Sequence, residues 1–423
     1  MIFERLISFV GMFALMGIAY LLSNNRKAIN YRTVIIGISL QLIFAVIILR
    51  TTPGEWVFEV ARRVIARLLS FTDFGAGFLF GNLYKGTPDI VKEIGGPGPI
   101  QVLDGSSGSP IELGIIFAIH VLPTIIFFSS LMSVLYHLGI MQRLVAGFAW
   151  IMAKTMRTSG SESLSAASNI FVGQTEAPLV VRPYVSSMTM SELMAIMTGG
   201  FATVAGGVMA AYVRFGIDAG HLLAASVMSA PAALVMAKIV YPETEESKTA
   251  GHVKMQLESD TANVIDAAAA GAASGLKLAA NVAAMLLAFI ALIAMINYGL
   301  GFFGLSLKII LGYLFYPLAV LMGVPIKDAL DFGYLLGTKI SINEFVAYVD
   351  LAHLKATISP RTFVIATYAL CGFANFSSIA IQIGGIGGIA PNRRQDLSRL
   401  GLKAMIAGAL ASWMTATIAG ILI

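Results

Sequence analysis

Five stretches of this chain contain no aspartate, glutamate, lysine or arginine: residues 6–23, 193–213, 278–305, 362–392 and 404–423. Each reaches or approaches the ~20 residues that a helix needs to cross a bilayer. No other feature restricts the fold as strongly. A chain in hydrocarbon must satisfy its backbone N–H and C=O groups internally, and a helix does so within a single segment. The composition agrees, with 57% hydrophobic and 12% charged residues, whereas soluble proteins carry about 25% charged residues. The net charge of +5 is modest. The basic residues sit mainly in short loops, so they report topology rather than nucleic-acid binding. One cysteine, Cys371, excludes an intramolecular disulfide framework. The first apolar segment is followed by a short polar loop and a second span, which reads as a retained helix and not a cleaved signal.

The spans can be ordered by the positive-inside rule. Residues 6–23 and 33–49 flank Arg26, Lys27 and Arg32, so that loop is expected in the cytoplasm and the N-terminus outside. Residues 50–110 alternate apolar patches with Arg62, Arg63 and Arg67 and end in a Gly/Pro/Ser-rich stretch at 95–110, as interfacial helices and an outer loop would. A third span at 111–138, kinked at Pro123, precedes cytoplasmic Arg143, Lys154 and Arg157. Residues 161–191 are too polar, and too broken by Gly173 and Pro178, for one span; two half-helices meeting at 173–178 form a re-entrant hairpin. A span at 192–213, broken near Gly206-Gly207, crosses outward and 222–241 returns. The hydrophilic segment 242–260, with a solvated charge run at 243–246, is a cytoplasmic linker, and 278–305 crosses outward. A second hairpin spans 326–354 with its tip at 338–343, where Ser341 and Glu344 have capping-box spacing. Residues 362–386, interrupted at 375–378, cross inward; Arg393, Arg394, Arg399 and Lys403 mark the cytoplasmic loop; 404–423 exits.

Each hairpin is thus followed by one broken span and one plain span, entering from opposite sides. The expected fold is an all-α polytopic membrane protein with about eight transmembrane helices, two opposed re-entrant hairpins, inverted repeats and interfacial helices. The expected divisions are 1–110, 111–160, 161–241, 242–325 and 326–423.

The breaks carry the chemistry. Gly173-Gln174-Thr175-Glu176-Ala177-Pro178 and Ser341-Ile342-Asn343-Glu344-Phe345 each put a carboxylate at a helix break. A charged group costs roughly 2.5–3.5 kcal/mol or more at the bilayer centre, so Glu176 and Glu344 mark a solute pathway rather than helix caps. Non-helical backbone at that depth must be buried in protein or line a wet cavity. Asn169 and the carbonyl of Val172 end one half-helix; the facing broken span offers Thr203 and the carbonyl of Val204. Those four oxygens can form a sodium cage. Val208, about one turn further on, lines the apolar side of a neighbouring pocket. Asn375, Ser377 and Ser378 add polar groups at the second broken span, and Phe373 adds a flat apolar surface. This inventory suits a neutral, hydroxyl-rich, ring-containing solute. Gly384-Gly385-Ile386-Gly387-Gly388 ends a membrane span rather than following a strand, so it reads as helix unwinding and close packing, not a phosphate loop. His120 and His137 have no partner at metal-ligand spacing.

Gly173-Gln174-Thr175-Glu176-Ala177-Pro178, Asn343-Glu344-Phe345 and Gly372-Phe373-Ala374-Asn375-Phe376-Ser377-Ser378-Ile379-Ala380 together resemble the concentrative nucleoside transporter family, and the order of elements fits over the whole chain. The family's extra N-terminal helices, typical of animal members, are absent, so the chain resembles a prokaryotic member of the bacterial inner membrane. The resemblance implies a homotrimer with elevator-type alternating access, importing nucleosides such as uridine, cytidine or adenosine with sodium. It implies that Gln174, Thr175 and Glu176 contact the nucleobase, that Glu344, Asn375 and Ser378 hold the ribose, and that Phe373 packs near the base. Asn169, Val172, Thr203 and Val204 match sodium-site positions, with Thr203 where the family often has serine. Some bacterial members use protons, so a proton-coupled symporter is one alternative; a sodium symporter of another polar solute is a second. No His-Glu-x-x-His pattern supports a hydrolase, and the two unlike acidic motifs do not form the repeated rings of a channel.

Overall fold

The computed structural model describes residues 2–84, 116–249 and 261–423, all helix, turn and loop. The expected outer loop at 95–110, the first residues of the third span and most of the linker lie outside the described residues. Helices α1 (Ile2–Leu21) and α2 (Tyr31–Arg50) form the first two spans, and Asn30 caps α2 through Arg32 and Thr33 N–H groups. The stretch after them is one amphipathic helix, α3 (Thr52–Phe80), N-capped by Thr51. The third span is α4 (Phe117–His120) and α5 (Leu122–His137). Its kink falls at Val121, just before Pro123, because proline lacks the N–H that would continue the ladder. A further helix, α6 (Ile140–Met156), follows where only a basic connection was expected.

The first hairpin comprises α7 (Gly160–Ser168), a loop through Glu176, a 3₁₀ turn Ala177–Val181 and α8 (Arg182–Val185). The broken span is α9 (Met190–Ala202) and α10 (Gly206–Arg214), the plain span α11 (Ala219–Val240). After α12 (Val264–Gly301) and α13 (Leu307–Leu321) the pattern repeats. The second hairpin is α14 (Ala329–Ser341) and α15 (Glu344–Leu354), the broken span α16 (Pro360–Leu370) and α17 (Phe376–Ile389), the plain span α18 (Arg394–Leu422). Seven helices or contiguous helix pairs among the described residues are long and apolar enough to span, and Phe376–Ile389 is a shorter apolar helix.

Contacts at the helix ends show that the hairpins are opposed. The α1–α2 loop meets the end of α11 through Asn24 N–H to the Val240 carbonyl (3.0 Å) and touches Lys403 of α18. The base of the first hairpin lies at this end, where Arg393 donates to the Met188 carbonyl (2.5 Å) and Gly160 N–H to the Thr249 carbonyl (2.9 Å). The base of the second hairpin lies at the other end. There Asp328 accepts from Ser359 N–H (3.0 Å) and Thr362 Oγ1 (2.6 Å), while Arg361 reaches the carbonyls of Gly323 (3.1 Å) and Gly420 (2.7 Å). The basic residues 26, 27, 393 and 403 thus share the first hairpin's end.

Three local expectations need correction. Ser341 does not cap α15: its hydroxyl donates back to the Gly337 carbonyl (2.6 Å), and Asn343 accepts the Val346 N–H (3.0 Å) instead. A residue directly at the helix start has the extended backbone that a cap requires, which Ser341, still inside α14, lacks. Residues 384–388 do not unwind; α17 continues through them to Ile389, and only the close packing holds, a Cβ on Gly385 meeting Thr175 Cγ2 at 3.0 Å. Residues 244–246 are exposed as expected, but Glu243 is half-buried: it accepts from Thr189 Oγ1 (2.8 Å) and pairs with Lys238 (3.4 Å).

Small residues let the helices approach. On α12 the buried Ala267, Gly271, Gly275 and Ala279 form a stripe at four-residue spacing, and a Cβ on Gly275 would lie 2.8 Å from Ile126 Cα of α5. Gly408 of α18 sits against α9, where a Cβ would come within 2.3 Å of Phe201 Cβ. The Gly408→Ala substitution is therefore expected to destabilise the contact between the two repeats by about 1–3 kcal/mol through overpacking. A lowered thermal unfolding midpoint in detergent checks this; an unchanged midpoint would show that the helices separate freely.

Candidate functional site

The interrupted backbone of the two broken spans meets in the middle of the molecule. The α9–α10 break covers residues 203–205 and the α16–α17 break residues 371–375, a few residues before the expected 375–378. Phe373 N–H donates to the Thr203 carbonyl (3.3 Å), so each break supplies a partner to the other. Gly372 adopts φ 145°, a left-handed region open to glycine, where a Cβ would also lie 2.7 Å from the Phe201 carbonyl oxygen. The first hairpin's tip is tied in by Gly206 N–H to the Phe171 carbonyl (3.1 Å).

Between these elements lies a cavity of about 130 Å³. Gln174, Thr175, Glu176, Val208, Glu344, Phe373, Asn375 and Ser378 all line it. Sequence reasoning had drawn these eight from four elements. Asn375 starts α17, where its Oδ1 accepts from Ser378 N–H (2.9 Å) and Ser377 Oγ (2.7 Å). Its Nδ2 must then face outward, and it donates to Glu344 Oε2 (3.0 Å). Glu344 is 4% exposed and accepts a second bond from Tyr212 (3.3 Å) on α10. Gln174 Nε2 donates to Ser378 Oγ (3.2 Å), joining the first hairpin to α17. Glu176 keeps an accessible carboxylate, and Gly173 makes room for it: a Cβ there would lie 2.4 Å from Glu176 Oε2.

Asn169, Val172, Thr203 and Val204 lie behind this cavity, off its wall. Asn169 and Thr203 converge on Gly199. A Cβ on Gly199 would come within 3.0 Å of Asn169 Nδ2, and Thr203 Oγ1 donates to the Gly199 carbonyl (2.9 Å). Asn169 Nδ2 donates to the Ser165 carbonyl (3.0 Å), but its Oδ1 is buried without a partner. A buried, unsatisfied amide oxygen is destabilising by about 1–3 kcal/mol, and an oxygen-seeking cation is the group that would satisfy it. The free Asn169 oxygen is the kind of ligand a sodium ion would take.

Sequence reasoning missed four contributors. Tyr212 and Gln382 sit in charge-free stretches of sequence and show their role only through their partners, Glu344 and Gln174. Asn343 was read as part of a motif, not as the cap. The last is α12, which lines the cavity with Leu278, Val282, Met285 and Leu286. Apolar residues on an apolar helix carry no signal of a site. Phe345 closes another side, packing on Tyr212 (5.0 Å), Phe215 (6.0 Å) and Phe117 (6.0 Å).

Comparison with known proteins agrees with this geometry. Family sequence models for the Na⁺-dependent nucleoside transporter N-terminus and C-terminus match residues 10–83 and 221–420, and one described as nucleoside recognition matches 118–219. An uncharacterised transporter of Haemophilus influenzae is 47% identical over 98% of this chain and 97% of its own length. Sodium/nucleoside cotransporter 1 of Mus musculus is 42% identical over 99% of this chain, which spans 64% of that protein. Among solved structures, CNTnw in an inward-facing substrate-bound state superposes with a TM-score of 0.89 at 45% identity, covering 99% of this chain and 98% of that one. An outward-facing variant of CNTnw gives 0.87 at 44% identity, covering 99% and 97%. This chain, a multi-pass membrane transporter and not an enzyme, belongs to the Na⁺-dependent, concentrative nucleoside transporter family.

Proposed function

We propose that the chain is a sodium-coupled symporter that imports nucleosides across a bacterial inner membrane by elevator-type movement, as a homotrimer. One observation carries this reading. Two hairpin tips and two helix breaks converge on a single cavity that holds a buried, hydrogen-bonded carboxylate, with an unsatisfied amide oxygen directly behind it. Glu344 accepts hydroxyl hydrogens of the ribose, Asn375 and Ser378 complete that subsite, and Gln174, Thr175 and Glu176 meet the base against Phe373 and Val208. Asn169 and Thr203, with the carbonyls of Val172 and Val204, hold sodium. Both sites share the 199–206 and 169–176 segments, so ordering one favours the other.

The bonding pattern supports movement as a body. Hairpins and broken spans are cross-linked by hydrogen bonds at Phe373–Thr203, Gln174–Ser378, Asn375–Glu344 and Tyr212–Glu344. Helix α12 faces the same cavity with aliphatic and thioether side chains. Cysteine pairs joining the first hairpin's tip to residues 278–286, in a background lacking Cys371, are expected to cross-link under one sodium gradient and not the reverse one. Equal cross-linking in both would count against the elevator.

Glu344→Gln should weaken uridine binding at least roughly tenfold, the low end of a charged hydrogen bond's 1.5–3 kcal/mol. Titration of purified, folded variant with uridine measures this, and wild-type affinity would remove Glu344 from the site. Removal of the ligand's 2′-hydroxyl should hurt the wild type more than loss of a base substituent.

Uptake of labelled uridine and adenosine into proteoliposomes should require an inward sodium gradient. Thr203→Val keeps shape and removes the hydroxyl oxygen, and should raise the sodium concentration for half-maximal uptake; Asn169→Ala should raise it further. Linkage makes nucleoside affinity fall by the same coupling factor and recover partly at saturating sodium. Uptake that persists in choline and follows a proton gradient would instead make this a proton symporter.

A further inference from the structure

Two backbone groups fix the polarity of the Gln382, Gln174 and Asn375 side-chain amides. The Met197 carbonyl can only accept, and Gln382 reaches it at 3.1 Å, so the Gln382 atom there must be Nε2. The same Nε2 donates to Gln174 at 3.1 Å, which must therefore present Oε1 to it. Gln174 is left with its Nε2 toward Ser378 Oγ at 3.2 Å and the cavity, with a second N–H unspent. At the far end the Ser378 N–H can only donate, which fixes Asn375 Oδ1 and turns its Nδ2 to Glu344. The chain Gln382–Gln174–Ser378–Asn375–Glu344 is thus polarised from both ends.

Gln382 itself is 0% exposed and lies one turn beyond Ser378 on α17. It does not line the cavity and touches it only through Gln174. The fold makes room for the amide pair: a Cβ on Gly200 would lie 2.7 Å from Gln382 Nε2 and 2.9 Å from Gln174 Cβ. A buried glutamine at membrane depth, with a glycine opposite to admit it, demands a reason beyond packing, since its Oε1 finds no partner.

We infer that Gln382 is a specificity-determining positioning residue, which locks the Gln174 amide so that it offers an N–H donor to the nucleobase and selects bases carrying a carbonyl oxygen there. This rests on the nucleoside reading above. Gln174 is separated from Glu344 along this chain by Ser378 and Asn375. With the ribose held at Glu344 and Asn375, the proposal places the exocyclic edge of the base at Gln174. Uridine presents a carbonyl at that edge where cytidine has an amino group, and inosine and adenosine differ in the same way. A locked donor pairs with the carbonyl and opposes the amino group. Without Gln382 the Gln174 amide can turn over and present Oε1, and the distinction fades.

The test is a competition series against labelled uridine on purified full-length protein. It uses cytidine, inosine, adenosine and 2′-deoxyuridine, with wild type and Gln382→Met, which keeps length and apolar bulk but removes both donors. Wild type should favour the carbonyl member of at least one pair by about fivefold, the size of one neutral hydrogen bond. In Gln382→Met that ratio should fall toward one while the uridine to 2′-deoxyuridine ratio is unchanged. Should Gln382→Met not fold, Gln382→Leu carries the same expectation. A residue that only packs would weaken all ligands by a common factor, and that result overturns the inference. So does a preference that survives the substitution, or its absence in wild type. Wild type that binds no nucleoside at all sinks the transport reading itself, whereas normal ribose discrimination with an unmoved base preference sinks only the role of Gln382.

Discussion

The structure depends on one obligation: backbone interrupted at membrane depth must find partners inside the protein. Among the described residues, the two hairpin tips and the two broken spans are such interruptions. The bond from Phe373 N–H to the Thr203 carbonyl lets the two broken spans answer each other directly. That single contact fixes how the repeats interlock, because both breaks must lie at the same depth. The first hairpin's tip then reaches the α9–α10 break through the Phe171 carbonyl, and Glu344 of the second reaches α17 through Asn375. The cavity is the space that four helix ends cannot fill once they have satisfied one another. A water-facing protein would place such ends at its surface, where no cavity follows from them.

Polar groups outside the cavity obey the same rule at the base of the first hairpin. Lys238 pairs with Glu162 and Glu243, and its Nζ donates to Ser191 Oγ (2.9 Å). Glu192 accepts from Thr249 (2.7 Å) and Ser247 (2.6 Å). The segment 243–249 therefore belongs to the first repeat. Both helix starts here, Ser159 with Glu162 and Thr189 with Glu192, are complete capping boxes. Their glutamates serve helix and cluster at once, which explains charges where the hairpin enters and none beside its tip except Glu176.

Much of this was legible in the sequence, for physical reasons. Charge-free runs define spans, and polar residues beside a carboxylate at a helix break mark a hairpin tip, so both hairpins and eight of the residues that line the cavity could be named. Boundaries drifted where propensity is silent. The second break was placed at 375–378 because its polar residues are visible, whereas the chain leaves the helix at Cys371 and Asn375 already begins the next one. Ser341 had the right spacing for a cap and the wrong backbone. Tyr212 and Gln382 were unreadable because a hydrogen bond between distant segments leaves no local pattern; 132 residues separate Tyr212 from Glu344 and 208 separate Gln382 from Gln174. The small-residue stripe of α12 is periodic, but its partner α5 is not identifiable from that period alone.

The two sides of the cavity differ in the kind of force that holds them. The hairpins and broken spans meet through directed hydrogen bonds, which tolerate shifts of only a few tenths of an ångström before they weaken. Helix α12 meets the same space through Leu278, Val282, Met285 and Leu286, whose dispersion contacts are non-directional and can be exchanged one for another along the helix. One to two turns earlier along the same face α12 is fastened to α5, where Gly271 and Gly275 bring the backbones close and Ser130 donates to the Ala268 carbonyl (2.8 Å). One wall of the cavity is therefore held by its own hydrogen bonds, the other is anchored to α5 further along the same helix, and α12 meets the cavity through apolar side chains. An interface of that kind resists separation but not sliding. Displacement along α12 would leave the polar chain from Gln382 to Glu344 intact, so a solute bound there would keep its contacts throughout.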